Sequence, residues 1–340
     1  GTFEAMWEYA EFARLQNQYV ETETYYKLCK GKITALEKNN PEVYESRLAA
    51  ICNGLGLIYY KMQRFIKSEN MYKAAMEKFK RLAESNPQVY KPSLASIYNN
   101  LAILYWATQR FTESEQMNNF ALIIHKRLAE SNPQVYEPSL AFIYNNLAIL
   151  YSDTQRFTES EKMLKSALDI FKRLAETNPI VYEPSLAANY NNLGLLYKYI
   201  QRYAESEQMY NSALEIRKRL AESNSQAYEP DMATSYNNLG ILYSDIKRYA
   251  ESEKMCKSAL EIRKRLADAN PQAYEPDLAV SYHNLANLYS VTKHYAESEK
   301  MYKAALEIIK WLAESKPQAY ESDLAQTFNN LAILYSYTQR

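Results

Sequence analysis

One phrase, Tyr-Asn-Asn-Leu-Ala/Gly-x-Leu-Tyr, returns along this chain every 46 residues, and that period constrains the fold before any other feature does. The leucines of the phrase stand at Leu55, Leu101, Leu147, Leu193, Leu239, Leu285 and Leu331, each 46 residues after the last. A second phrase, Arg-Leu-Ala-Glu, follows in step at Arg81, Arg127, Arg173 and Arg219, and continues in altered form at Arg265 and Trp311. One period before Leu55 lies Tyr9. There Tyr19 falls in register with Phe65 and Pro41 with Pro87, so the opening segment reads as a worn first copy. The expected organisation is a single solenoid domain over residues 1–340, built of seven repeats and half of an eighth. A unit of this size cannot bury its own apolar face and must stack on its neighbours.

Within a repeat the apolar period is helical. Leu140, Tyr144, Leu147, Ala148 and Tyr151 follow one another at three- and four-residue steps after Pro138, which suits a first helical turn. Asp153, Thr154 and Gln155 interrupt the pattern, and Thr158-Glu159-Ser160-Glu161 reads as a capping box that opens a second helix. The buried stripe expected there is Ser160, Leu164, Ala167, Leu168, Phe171 and Leu174, with Glu161/Lys165 and Asp169/Arg173 paired on the outer face. Asn178-Pro179 is expected to stop this helix and Pro184 to start the next one.

Composition narrows the function classes. With 40 basic and 40 acidic residues the chain has no net charge, which removes the electrostatic footprint of a nucleic-acid binder. No apolar run approaches the roughly 20 residues of a membrane span. Cys29, Cys52 and Cys256 take places where other copies carry small or apolar residues, so they read as core thiols, and His125, His283 and His294 show no metal-ligand spacing. Gly54-Leu-Gly56 sits inside a helical pattern, Gly31-Lys32 lacks the rest of a phosphate loop, and no nucleophile or zinc motif is present. The reading is non-enzymatic, with no cofactor and no metal. The start at Gly1-Thr2, without Met, reads as trimmed, which leaves open a removed targeting segment, and a cytoplasmic location is favoured.

The stretch Tyr190-x-x-Leu193-Gly194-x-x-Tyr197, followed by Ser206, Tyr210 and Ala213, resembles the tetratricopeptide repeat, with Tyr in place of the usual Trp and Ser in place of the first Ala. The resemblance covers nearly the whole chain. The usual repeat has about 34 residues; here Lys218 stands where Pro would end the second helix, and the helix is expected to run on through Arg-Leu-Ala-Glu. The elongated form is similar to the repeats of kinesin light chains and to bacterial repeats found beside signalling domains. The resemblance implies an all-α, right-handed superhelical solenoid of antiparallel helix pairs, with the first helix of each pair (A) lining a concave face and the second (B) the convex face.

Projected at about 100° per residue, the A helices place Asn, aliphatic and aromatic residues opposite their core side. Phe142, Asn145 and Ile149 lie there in one copy, and Asn191, Leu195 and Tyr199 in the next. An Asn ladder runs through Asn99, Asn145, Asn191, Asn237 and Asn329, broken by His283, and is flanked by Asn100, Asn146, Asn192, Asn238, Asn284 and Asn330. An amide offers both donor and acceptor, so it suits the backbone of an extended peptide; bracing between repeats is an equal alternative. Ile103, Ile149, Leu195, Ile241 and Ile333 form a stripe beside the ladder, expected to be buried between A helices more than left open. Trp106 and Tyr199 are candidate anchors, with packing against the next repeat as the competing role for Trp106. Only Lys61 and Lys198 point toward this face, too few for a clamp on a terminal carboxylate.

These residues point to a protein-interaction scaffold that binds a peptide or helical segment of a partner protein along the A-helix face. The alternatives are a sensor module of a larger signalling protein, and a solenoid whose ends stack. The chain stops at Gln339-Arg340, where other copies begin a B helix, so Leu331, Leu334 and Tyr335 are expected to be partly exposed and open to end-to-end self-association.

Overall fold

A computed structural model describes residues 2–36 and 41–337, and they form fifteen α-helices with no strand among the described residues. The helices follow as consecutive packed pairs: α1 (Phe3–Leu15), α2 (Tyr19–Leu36), α3 (Pro41–Lys61), α4 (Phe65–Ser85), α5 (Pro87–Ala107), α6 (Phe111–Ser131), α7 (Pro133–Asp153) and α8 (Phe157–Thr177). They continue as α9 (Pro179–Tyr199), α10 (Tyr203–Ser223), α11 (Ser225–Asp245), α12 (Tyr249–Ala269), α13 (Pro271–Val291), α14 (Tyr295–Ser315) and α15 (Pro317–Tyr337). Odd-numbered helices are the A helices. Two compact units are distinguishable, residues 1–170 and 171–340, and each is described by itself.

The period is accounted for by α7, α8 and their links. Each of these helices has 21 residues, residues 154–156 join them, and Asn178 alone leads into α9, which together make 46. In the first copy the described residues give 13 to α1 and 18 to α2. Pro41 and Tyr19 open their helices as the register with Pro87 and Phe65 requires.

Three expected helix starts are corrected. α7 and α9 begin at Pro133 and Pro179, so Pro179 opens a helix as much as it ends one, while Pro138 and Pro184 lie inside. Each internal proline is the sixth residue of its helix and loses one backbone bond near the N-terminus, a smaller penalty than in mid-helix. α8 begins at Phe157, ahead of Thr158, so the capping box does not form.

The A-to-B turn explains that start. Gln155 takes a left-handed backbone (φ 59°), its N–H donates to the Ser152 carbonyl at 3.0 Å, and the Arg156 N–H donates to the Tyr151 carbonyl at 2.7 Å. This pair of bonds closes the α7 C-terminus and hands the chain straight to α8. Gln63, Gln109, Gln201, Lys247 and Lys293 repeat the same conformation in their own turns, with φ between 56 and 63°.

A and B helices are locked by a buried hydroxyl. Ser68, Ser114, Ser160, Ser206, Ser252 and Ser298 each donate to the carbonyl of residue 56, 102, 148, 194, 240 or 286 of the preceding A helix, at 2.7–2.8 Å. The Ser in place of the first Ala thus has a bonding role. Beside it, Gly56 and Gly194 make room for the rings of Tyr72 and Tyr210; a Cβ at either glycine would stand 2.5 or 2.6 Å from a ring carbon.

The three cysteines are buried and free, and burial pushes the Cys256 thiol up to about 11. No described helix is long and apolar enough to cross a membrane. At the last helix the expected partial exposure holds for Tyr335, which is half-buried, and fails for Leu331 and Leu334, which are buried against Tyr302 and Ala286 because α13 and α14 already cover that side. Gln339 and Arg340 lie outside the described residues.

A left-handed non-glycine residue is strained by about 1–2 kcal/mol, and Gly forfeits roughly 0.4–1 kcal/mol through the unfolded chain. Gln155→Gly should therefore stabilise the protein by about 0.5–1 kcal/mol, while Gln155→Ala should not. Urea unfolding of the two variants beside the parent protein checks this.

Candidate functional site

Successive A helices touch one another within each unit, α3 with α5 and α5 with α7 in the first, α9 with α11 and α11 with α13 in the second. That contact presents the side chains opposite the core as one face per unit. In the first unit the face exposes Trp106 (39%), Phe142 (49%) and Ile149 (37%), with Ile103 half-buried beside them. In the second unit it exposes Leu195 and Tyr199 (59%), with Ile241 half-buried. The aliphatic stripe is therefore not core: the A helices meet through the ladder amides, and this contact leaves Ile149 and Leu195 outside it.

The amides pair in a fixed pattern. The Nδ2 of one repeat's second Asn donates to the Oδ1 of the preceding repeat's first: Asn146 to Asn99 at 2.8 Å, Asn238 to Asn191 at 2.7 Å and Asn284 to Asn237 at 2.7 Å. At the start of the ladder Asn100 donates to Asn53 at 2.9 Å. Asn237 is buried, and Asn99, Asn100, Asn145, Asn146, Asn191, Asn192 and Asn238 are half-buried. Bracing between repeats is thus what these pairs do. His283 fits the pattern where it breaks the sequence, because its Nε2 meets Asn330 Nδ2 at 3.0 Å.

A second clamp joins repeats through charge. Glu69 on α4 accepts from the Tyr105 hydroxyl at 3.1 Å and from Arg110 Nη1 at 2.8 Å, while the Arg110 guanidinium lies 4.2 Å from the Tyr105 ring centre. Glu115, Tyr151 and Arg156 repeat the arrangement in the first unit, and Glu207, Tyr243 and Arg248 in the second. Burial and the adjoining Glu115 carboxylate push the Tyr151 phenol up to about 12, so it stays a donor. Charge is thereby committed to the clamps and the B helices. On the A-helix face, Lys198 is held at 3.4 Å from Asp245, and the Trp106 indole N–H donates to Asp153 at 2.6 Å. Trp106 therefore packs against the next repeat and remains exposed as well.

Two features escape the sequence pattern. Arg217 and Arg263 are buried, each donating to a backbone carbonyl and a serine of the following A helix: Arg217 to Asp231 and Ser235, Arg263 to Asp277 and Ser281. Asn118 is also buried, where neighbouring copies carry Tyr72 and Leu164. A polar residue in the register of a core position was the available signal in all three. Among the described residues no group of His, Cys, Asp and Glu could hold a metal ion.

The bond from Asn330 requires His283 Nε2 to be unprotonated. Burial holds the His283 imidazole below its ordinary 6.5, against an opposing pull from Asp323. A lowered folded pKa gives stability that is present above pH 6.5 and lost as pH falls through the folded value. His283→Asn restores the ladder residue and should flatten that loss; hydrogen exchange of α15 between about pH 7 and 5 should rise in the parent protein and much less in the variant.

Comparisons with known proteins agree with this architecture. The tetratricopeptide-repeat family model matches residues 93–173, 139–219 and 231–310, and a second model of the same description matches residues 48–87. No curated protein matches the chain. Among solved structures, BtubC (BKLC) from P. vanneervenii is similar over 73% of this chain and 92% of its own, with 25% identity and a TM-score of 0.60. The apo form of RapI is similar over 92% of this chain and 99% of its own, at 15% identity and a TM-score of 0.62. A signal-transduction ATPase with a tetratricopeptide repeat sensor from Pyrococcus horikoshii is similar over 93% of this chain and 42% of its own, at 16% identity and a TM-score of 0.56. Repeats of this kind are generally non-catalytic interaction modules, with protein-interaction or regulatory roles. With the repeat models matching more than half of its length, in register with the paired helices, this chain belongs to the tetratricopeptide repeat family.

Proposed function

We propose that the A-helix face of each unit binds an extended or helical segment of a partner protein, with Trp106, Phe142 and Ile149 as the contacting side chains in the first unit and Leu195, Tyr199 and Ile241 in the second. The Asn ladder is the frame: its paired amides hold those side chains at repeat spacing, and the half-buried Asn99, Asn145, Asn146, Asn191, Asn192 and Asn238 border the partner backbone while Asn237 stays within the frame. The observation that carries this reading is the scarcity of charge beside the exposed apolar residues of the A-helix face; the B helices also expose Ile66, Phe120, Ile123 and Trp311, but carry ion pairs such as Glu161–Lys165 and Glu253–Lys257 as well. Exposed aromatic rings in fixed positions suit interface anchors because they cover large area at small entropic cost.

A photo-crosslinking residue at position 142 or 199 should capture a discrete partner segment, and one at Lys162, on the exposed side of α8, should not. For the captured segment, Phe142→Ala and Tyr199→Ala should each weaken binding by about 2 kcal/mol, roughly thirtyfold, with little change in melting temperature. Capture from position 162 with none from 142 or 199 would place the interface on the B helices and reject the reading.

A further inference from the structure

The α5–α6 repeat departs from its neighbours at two touching positions. In the preceding repeat the ring of Tyr72 lies against Gly56, so closely that a Cβ there would stand 2.5 Å from it. One period later the glycine has become Ala102 and the tyrosine Asn118. A methyl is gained and a phenol ring is lost, and the difference is a cavity of about 170 Å³ lined by Ala102, Ile103, Trp106, Asn118, Asn146 and Ile149. For scale, an engineered apolar cavity of about 150 Å³ in another protein holds benzene.

The lining limits what can enter. No charged side chain borders the cavity, so its occupant is neutral. Three of its polar groups are committed: the Ser114 hydroxyl to the Ala102 carbonyl, Asn146 Nδ2 to Asn99 and the Trp106 indole to Asp153. Asn118 Oδ1 has no hydrogen-bond partner, although Asn118 is only 2% exposed. A buried acceptor left unpaired is destabilising, which selects an occupant that brings a donor. Access is from the A-helix face, where Trp106 and Ile149 are exposed.

We infer that this cavity receives a phenol ring, the tyrosine side chain of the partner segment, whose hydroxyl donates to Asn118 Oδ1. It takes a ring from outside where the preceding repeat supplies its own Tyr72. This rests on the proposed use of the A-helix face for partner binding, and it names the side chain read at one position.

The probe p-cresol, the tyrosine side-chain analogue, tests the cavity without any partner. In methyl-detected NMR of the whole chain it should shift the Ile103 and Ile149 signals saturably near about 1 mM, and toluene, which lacks the hydroxyl, should bind at least about tenfold more weakly. Asn118→Leu copies the Ala148–Leu164 combination of the next repeat, so it should fold, and it should lose the preference for p-cresol. Ala102→Gly combined with Asn118→Tyr restores the Gly56–Tyr72 pairing and should abolish binding. A peptide Ac-Gly-Gly-Tyr-Gly-Gly-amide should produce the same shifts and its Phe counterpart should not. Equal binding of p-cresol and toluene, binding that survives in the double variant, or no shift with p-cresol would overturn the inference. So would a cavity that takes p-cresol but ignores the tyrosine peptide, since its ligand would then be a free small molecule. Each failure leaves the crosslinking test of the A-helix face undisturbed, so the two readings can fail separately.

Discussion

The serine hydroxyl buried between each A helix and its B helix is the contact on which the rest of the repeat depends. It reaches a carbonyl that already belongs to the helical ladder of the A helix, and so fixes the two helices in rotation and in height. A purely apolar contact would leave sliding and rotation less defined, because dispersion is non-directional. With the pair fixed, the rings of Tyr72 and Tyr210 lie against Gly56 and Gly194, a placement that leaves no room for a Cβ beneath them.

Stacking of repeats uses different chemistry on its two sides. Toward the B helices the joint is the Glu–Tyr–Arg clamp, in which a carboxylate accepts from a phenol and a guanidinium of the next repeat. Toward the A helices the recurring joint is an amide-to-amide bond, with a carboxylate contact added at single places, Trp106 to Asp153 and Lys198 to Asp245. Exposed ion pairs contribute little individually, but a carboxylate with two charge-assisted or phenolic donors and a stacked ring is held by geometry as well as charge. The outcome is a face with little charge, on which Phe142, Leu195 and Tyr199 are exposed. The low charge of that face is a by-product of how the repeats are joined.

Regular joints let single repeats vary. Tyr302 occupies the same register as Tyr72 but lies beside Ala286, and its hydroxyl turns to Asn287 at 2.5 Å. Cys256 fills the place beside Gly240, and Asn118 leaves it open. The stack tolerates these exchanges because each repeat packs on its immediate neighbours, so a local change in volume is not transmitted along the chain.

The number of helices, their pairing, the length of the second helix past Arg-Leu-Ala-Glu and the burial of Ser160 were legible in the sequence, because each follows from a period or a local preference repeated many times. The helix starts were not. Pro133 and Pro138 both satisfy the first-turn rule, and the choice between them turns on whether packing repays the one backbone bond that an internal proline removes. The ladder asparagines could be placed on their face from sequence, but whether they met a ligand or one another depended on residues 47 positions away brought within 3 Å. The fate of Leu331 and Leu334 was decided likewise by α13 and α14, which cover them. Asn118 marks the limit most plainly. Sequence shows a polar residue in a core register, and only the packed structure shows that its missing ring leaves a space and that its amide oxygen has no partner there, since both are properties of what surrounds the residue.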